Sequence, residues 1–356
     1  MTQENWTSVT DFVLLGFSDR HSLQVLLFLV FLLIYLATVG GNLLIITSVS
    51  ISPSLRSPMY FFLGHLSSCD VLLTTTIVPL MLRVIIADGE TISFFGCLTQ
   101  FYLFGALATT ECLLLSVMSY DRYMAICEPL HYSSLMGTHR CSHLVFWSWF
   151  AAFTVMLSTT LQMCRLQFCG PNVIDHFFCD LSPLLQLSCS DTSFVEMQNL
   201  LTGGPATFLP LMFICATYAY IFITILHIPT ETGREKKAFS TCSSHLTVVC
   251  TYYGTLIAIY VFPAGEHSYN TNKIVSLLYT VVTPLFNPFI YSLRNHEIRR
   301  VPLVCGGRAE RVLPSGSAFG RVPADRWPLR CGLTSWMSAR HPDQQPPELG
   351  VIAGAR

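Results

Sequence analysis

Apolar residues in this chain run in long blocks rather than in alternation, and seven blocks stand out, at about 23–50, 59–82, 98–120, 144–163, 199–228, 239–261 and 274–293. A helix that crosses the hydrocarbon of a bilayer needs about 20 mainly apolar residues, because the core is roughly 30 Å thick and a helix rises 1.5 Å per residue. Each block has that length. Outer-membrane barrels are built instead from segments of about ten residues that alternate apolar and polar. The pattern therefore predicts an all-α membrane protein, a seven-transmembrane helical bundle over 23–300, preceded by a short segment, 1–22, and followed by a tail, 301–356.

Composition agrees with this reading and removes others. The chain is 52% hydrophobic and 12% charged, with a mean hydropathy of +0.52, far too apolar for a soluble protein of its length. A formal net charge of -1 and the absence of long Lys/Arg runs leave no basic surface for nucleic acid. The first twenty residues lack the basic start, short apolar core and cleavage site of a secretory signal. The first block then acts as its own insertion signal.

An odd number of spans puts the termini on opposite sides, and basic residues choose between the two orientations. One side carries the nine residues Arg56, Arg122, Arg140, Arg234, Lys236, Lys237, Arg294, Arg299 and Arg300, the other only the four residues Arg20, Arg83, Arg165 and Lys273. The expectation is N-terminus outside and C-terminus inside. That orientation makes Asn5-Trp6-Thr7 a usable glycosylation sequon at Asn5. It also sorts the cysteines. Cys97, Cys169, Cys179 and Cys189 fall on the oxidising side, while Cys69, Cys112, Cys127, Cys141, Cys215, Cys242 and Cys250 lie in helices or inside. Four such cysteines admit three pairings. The favoured one ties Cys97, at the top of the third helix, to Cys179, with Cys169–Cys189 closing a loop of its own; free thiols stay open as the alternative.

Ionisable groups inside a span cost about 2.5–3.5 kcal/mol on insertion scales, so each is a candidate for function. Asp70 and Glu111 sit near the middle of the second and third blocks, with Asn42 and Asn287 placed to face the same interior. Two carboxyl groups there cannot both ionise freely, so they share a proton or hold a cation. Pro284 and Pro288 interrupt the seventh block beside Asn287 and Tyr291, freeing backbone groups and marking a two-state element. Pro205 and Pro210 predict a similar distortion of the fifth.

Short motifs sit at fixed places on this frame: Gly41-Asn42 in the first helix, Ser57-Pro-Met-Tyr-Phe-Phe-Leu63 with Leu66 and Asp70 in the second, and Met118-Ser-Tyr-Asp-Arg-Tyr-Met-Ala-Ile-Cys127 running on to Pro129-Leu-His-Tyr132 after the third. Lys237-Ala-Phe-Ser-Thr-Cys-Ser-Ser-His-Leu246 opens the sixth and Pro284-Leu-Phe-Asn-Pro-Phe-Ile-Tyr291 lies in the seventh. In order and spacing these resemble the signature stretches of the odorant receptors, members of the rhodopsin-like G protein-coupled receptors, from about residue 1 to 300. The resemblance implies that Asp121, Arg122 and Tyr123 restrain the resting state and then receive a heterotrimeric G protein, with Asn287, Pro288 and Tyr291 as the switch in the seventh helix. It further implies a sodium-like site at Asn42, Asp70 and Glu111, set against a protonated, hydrogen-bonded cluster. No other cofactor is expected.

Receptors for cationic amines resemble this architecture but carry an Asp where this chain has Phe104, and the opsins carry a retinal-binding Lys deep in the seventh helix, where this chain reads Ser276-Leu-Leu-Tyr-Thr-Val281. The expected ligand is a small, neutral, mostly apolar odorant, held by Phe104, Ala108, Thr109, Thr207, Tyr253, Ile257, Tyr260 and Thr280. A transporter is disfavoured by the odd span count and the lack of repeat halves. An intramembrane enzyme is disfavoured because paired catalytic aspartates and a His-Glu-x-x-His motif are missing and His65 and His245 are isolated.

The resemblance stops after Ser292-Leu-Arg-Asn-His-Glu-Ile-Arg-Arg300. Pro302, Gly306 and Gly307 break the expected amphipathic helix, and Pro314, Pro323, Pro328, Pro342, Pro346 and Pro347 give 301–356 the composition of a disordered tail. The alternative reading is a variant receptor whose coupling is impaired by that tail. Tyr260→Ala is expected to shift the odorant dose–response curve at unchanged surface level and basal signalling. An unaltered curve removes Tyr260 from the pocket.

Overall fold

The computed structural model describes residues 9–17, 23–169, 171–227, 234–261 and 269–294, with the side chains of residues 54, 234–241, 258–261, 269–272 and 292–294 left undescribed. All of them fall within one compact unit, Met1–Leu303. The sequon at Asn5, the Tyr260 side chain and the tail 301–356 lie outside the described residues and side chains.

Seven long helices carry the fold: α1 (Gln24–Ile51), α2 (Pro58–Ala87), α3 (Phe94–Cys127), α5 (Thr138–Met163), α7 (Ser193–Leu226), α8 (Arg234–Val261) and a seventh built from α9 (Tyr269–Leu277), a π-helical turn (Leu278–Val282) and α10 (Thr283–Arg294). Two short helices, α4 (Pro129–Leu135) and α6 (Leu181–Gln186), lie in connections. Among the described residues, six segments are long and apolar enough to cross a membrane. The remaining long helix, α8, packs against α3, α7 and α10 and completes the bundle. At its centre α3 touches α2, α5, α7 and α8.

The helices outrun the apolar blocks that predict them. The third continues past Tyr120 to Cys127, and the fourth, fifth and sixth start at Thr138, Ser193 and Arg234 rather than at about 144, 199 and 239. Hydropathy reads where the hydrocarbon ends, whereas the i to i−4 backbone bonds persist for another turn or more into the polar interface. Helix α7 ends at neither Pro205 nor Pro210, the prolines expected to distort it.

Burial is inverted relative to a water-soluble bundle. Leu33, Leu36, Leu200, Leu209 and Met212 are exposed, while Asn42, Asp70, Glu111, Thr110 and Asn287 are buried. Lipid tails are as apolar as leucine, so the outer face gains nothing from being covered, and polar groups retreat to the inside. Hydroxyls along the spans return to their own helices, as in Thr38 to Ile34 O (2.8 Å), Thr110 to Ala106 O (2.8 Å) and Ser148 to Leu144 O (2.8 Å). Each such bond satisfies a hydroxyl that the bilayer, lacking water, could not.

One end of the bundle carries a feature that the helical pattern did not predict. Strand β1 (Asp11–Leu14) pairs antiparallel with β2 (Glu90–Ser93) and parallel with β3 (Val173–Ile174), giving a sheet of order β2-β1-β3. Alternation in β1 buries Phe12 and Leu14 on Leu80, Val84, Phe101 and Phe168. Cys97–Cys179 and Cys169–Cys189 are both bonded at this end. The first fastens the long connection between α5 and α7 to the top of α3.

At the middle of the bundle α1 meets α10 through the Gly41-Asn42 pair. Pro288 has no N–H for the carbonyl of Pro284, four residues earlier, and Asn42 Nδ2 donates to that oxygen at 3.2 Å. Gly41 makes the approach close, since a Cβ there would lie 3.0 Å from Pro288 Cβ. Gly41→Val is expected to destabilise the bundle by about 1–3 kcal/mol through overpacking, read as a lower melting temperature of purified protein in lipid nanodiscs. Gly40→Val, where a Cβ meets nothing within 4 Å, is the control. Equal melting temperatures for the two variants contradict this account.

Candidate functional site

The polar interior draws on four spans, with Asp70, Glu111 and Asn287 in contact and Asn42 bonded to the Pro284 carbonyl of the same last span. Asn287 Nδ2 donates to both carboxylate oxygens of Asp70, each at 3.0 Å, joining α10 to α2. Thr74 Oγ1 donates to the Asp70 backbone carbonyl. Glu111 on α3 interacts with Asp70, so the two carboxyl groups predicted to share an environment do so. Asn42 Oδ1 and Glu111 Oε1 are buried with no hydrogen-bond partner among the described residues. Asn42 Oδ1 and the unpartnered oxygen of the carboxyl pair are oxygen groups of the kind that suit a proton or a small hard cation.

At the end remote from the sheet, Asp121 is fully buried and holds Arg122. The Arg122 Nε donates to Asp121 Oδ2 at 3.1 Å, and an Nη makes a second contact with the same oxygen. Tyr132, on α4, donates its hydroxyl to Asp121 Oδ1 at 2.9 Å. The buried carboxylate is thereby satisfied from two sides, and α4 is tied to α3. Tyr123 points elsewhere and packs edge-on against Tyr220 of α7, with ring centroids 6.2 Å apart. Tyr291 is buried with its hydroxyl unpartnered. His245 stands 2.7 Å from the Tyr218 hydroxyl, a contact between α8 and α7 that sequence reasoning missed by treating the histidine as isolated. His65 packs edge-on against Phe61.

Of the expected ligand-contacting residues, Phe104 is buried between Phe178 (5.1 Å between centroids) and Tyr279 (5.7 Å). Ala108 and Thr109 lie a turn deeper on α3, half-buried. Tyr253 is buried with its hydroxyl unpartnered, while Ile257 is 47% exposed. Thr207 and Thr280 turn their hydroxyls to their own helices, to Gly203 O (3.1 Å) and Ser276 O (2.7 Å). The strongest bridge here comes from Tyr252, which the sequence reading passed over: its hydroxyl donates to Ala108 O at 2.8 Å and receives the Cys112 thiol at 3.2 Å. Composition gives no sign of which of two adjacent tyrosines faces α3.

Above Phe104 the connection between α5 and α7 closes the bundle. Phe177 and Phe178 are fully buried against α2, α3 and Tyr279. Gln100 on α3 places this segment, donating to Thr76 O (3.0 Å) and accepting from Cys179 N (3.0 Å). His176 is buried with Nδ1 unpartnered, its ring 4.5 Å from that of Phe177. Burial, and then the Lys273 ammonium, pull its imidazole down to about 3.

Seven helices threaded in this order, a disulfide from the third to the loop above it, and an acid–arginine pair at its far end define a seven-helix receptor of the rhodopsin-like, G protein-coupled class. Residues 31–304 match the family model described as olfactory receptor. Human olfactory receptor 10A7 is 47% identical over 84% of this chain and 94% of its own length, and human olfactory receptor 1F1 48% identical over 84% and 96%. Mouse olfactory receptor 5P68 is 47% identical over 83% of this chain and 94% of its own length. The chain belongs to the olfactory receptor family, a family of receptors rather than enzymes, and is a multi-pass protein of the plasma membrane.

The His176 imidazole generates a prediction with a definite sign. Unfolded, it takes up a proton near 6.5; folded, it stays neutral down to about 3. The unfolded chain therefore binds more protons between these values, and stability falls as pH drops from about 6.5 toward 3. His176→Gln is expected to flatten the decline in melting temperature between about pH 7 and 5. The same slope in both proteins would count against the assignment.

Proposed function

We propose that this chain is an odorant receptor that binds small, neutral, mostly apolar ligands inside the bundle and activates a stimulatory, olfactory-type heterotrimeric G protein, raising cyclic AMP. The observation that carries the ligand class is the bundle-facing stretch of α3. Phe104, Ala108 and Thr109 offer apolar surface and one hydroxyl, and no ionised side chain accompanies them. Burial at about 25 cal/mol per Å², less the cost of ordering ligand and side chains, corresponds to affinities on the order of micromolar.

The N-terminus lies outside and the C-terminus inside. Both disulfides at the sheet end support this orientation, since they form and persist in an oxidising compartment. Asp121, Arg122 and Tyr123 then face the cytoplasm. The Asp121–Arg122 contact, buttressed by Tyr132, is the resting arrangement. An odorant that binds the open form better shifts the population toward an exposed Arg122 and an inner cleft for the G protein. Asn287, Pro288 and Tyr291 form the hinge that transmits the shift. In the resting form Asp70, Glu111 and Asn42 would hold a sodium-like cation, the carboxylates neutralising its charge and Asn42 Oδ1 adding a neutral oxygen ligand, with a proton shared between the two carboxyl groups as the alternative.

The test is a cyclic AMP reporter with a broad odorant panel, comparing the full chain, Arg122→Ala, and the chain ending at Arg300. Odorant-dependent cyclic AMP in the full chain, at least about tenfold weaker in Arg122→Ala at equal surface level, is the expected outcome. Solute flux without nucleotide signalling would falsify the receptor reading. A response that strengthens on removal of 301–356 identifies the tail as an impairment of coupling.

A further inference from the structure

Residues 9–17 cross the sheet end of the bundle as a strap. Beyond the β1 ladder, Leu15 N donates to Ile174 O at 3.1 Å and Gly16 N to His176 O at 3.3 Å, so the strap follows the loop that carries the Phe177–Phe178 plug. Phe17 stacks on Phe177 at 5.6 Å. Gly16 has φ +61°, and a Cβ there would stand 2.5 Å from Val84 Cγ1. Glycine is required on both counts, and it brings the strap's backbone down onto α2.

Lys273, at the start of the seventh span, is 5% exposed and the single Lys or Arg among the buried residues described. Its ammonium donates to Gly16 O at 2.7 Å and to Asp175 Oδ1 at 2.5 Å. One cation thus joins the strap, the loop and the seventh span. Asp175 directly precedes His176, Phe177 and Phe178, and Phe178 is the residue seated on Phe104. The two halves of the ion pair differ in environment: the Lys273 side chain is 7% exposed, that of Asp175 45%. Asp175 can swing into water at little cost, while the ammonium left behind loses its countercharge in a poorly solvated place. That asymmetry makes the pair a fastening that holds firmly and opens from the Asp175 side.

We propose that Gly16, Asp175 and Lys273 form a latch that closes the strap and the Phe177–Phe178 plug over the ligand cavity, so that ligands enter and leave at the rate at which the latch opens. The proposal rests on the odorant-pocket reading for the cavity beneath Phe104, and on the ion pair and strap themselves for the latch. Opening detaches the loop at Asp175 and the strap at Gly16 together, and the plug loses its cover from both sides. The disulfide at Cys179 keeps the loop anchored to α3 throughout.

Two measurements on the full chain in nanodiscs separate latch from cavity. Hydrogen–deuterium exchange over 9–17 and 171–178 reads the latch without any ligand. Asp175→Asn, chosen because the site is half exposed and tolerant, and Lys273→Met are each expected to speed exchange there about five- to tenfold. Asp175→Glu, which keeps the carboxylate, stays near the native rate. The second reading is modification of Thr109→Cys by methyl methanethiosulfonate, a small neutral probe, with the unsubstituted chain giving the background of its native thiols. Its rate should rise by a similar factor in Asp175→Asn and not in Asp175→Glu. Unchanged exchange in both Asp175→Asn and Lys273→Met overturns the latch. Faster exchange with Thr109→Cys unreactive in every variant overturns the cavity reading, and with it the gating role.

Discussion

Hydrocarbon offers no hydrogen bonds, and a polar atom placed within the bundle is costly unless it finds a partner on its own helix or on a neighbour. Most hydroxyls take the first course. The carboxamides and carboxyls take the second, and the contacts among spans follow from their needs. Asn42 supplies the donor that Pro288 withholds from Pro284, fixing α1 against α10. Asn287 supplies donors to Asp70, fixing α10 against α2. Glu111 extends the cluster to α3. A proline in the last span thus creates a demand that an asparagine in the first one meets, and glycine at 41 lets the two come close enough.

The two ends of the bundle are held by different means. At the sheet end there are two disulfides, a three-stranded sheet and the Lys273 contacts. At the other end the ties are noncovalent: Asp121 to Arg122 and Tyr132, Tyr218 to His245, Thr217 to Ser119. The sheet end is therefore covalently fastened, while the contacts described at the other end can be exchanged without breaking a covalent bond. The π-helical turn at Leu278–Val282 lies between them, next to Pro284, where the backbone ladder of the last span is already irregular.

The spans and the inner polar residues were legible because both follow from one rule, the exclusion of water, which writes itself into composition over twenty residues at a time. Helix ends were not, since hydropathy reports the solvent and helices end where backbone bonding ends. The sheet was not legible either. Strands of four and two residues carry little periodicity, and the partner of Asp11 O, Asn172, is 161 positions away. Lys273 could be read as a charge near an interface but not as a buried one, because Asp175 and Gly16 reach it only after the chain has folded across the bundle. Beside α3, the bond between helices comes from a residue that the sequence pattern does not single out. One step along α8 rotates a side chain by about 100°, and that is the difference between Tyr253 and the bonded Tyr252.

The order in which the sheet can assemble differs from the order in which it is made. Strand β1 leaves the ribosome first, yet its partners are β2, after the second span, and β3, after the fourth. Until residue 174 has been made and placed, Phe12 and Leu14 have no completed surface to cover them. The sheet consequently sets well after its central strand has been made, and its closure reports that four spans have already been placed. A chain stalled before that point carries an apolar strand with open edges, the kind of segment that chaperones retain.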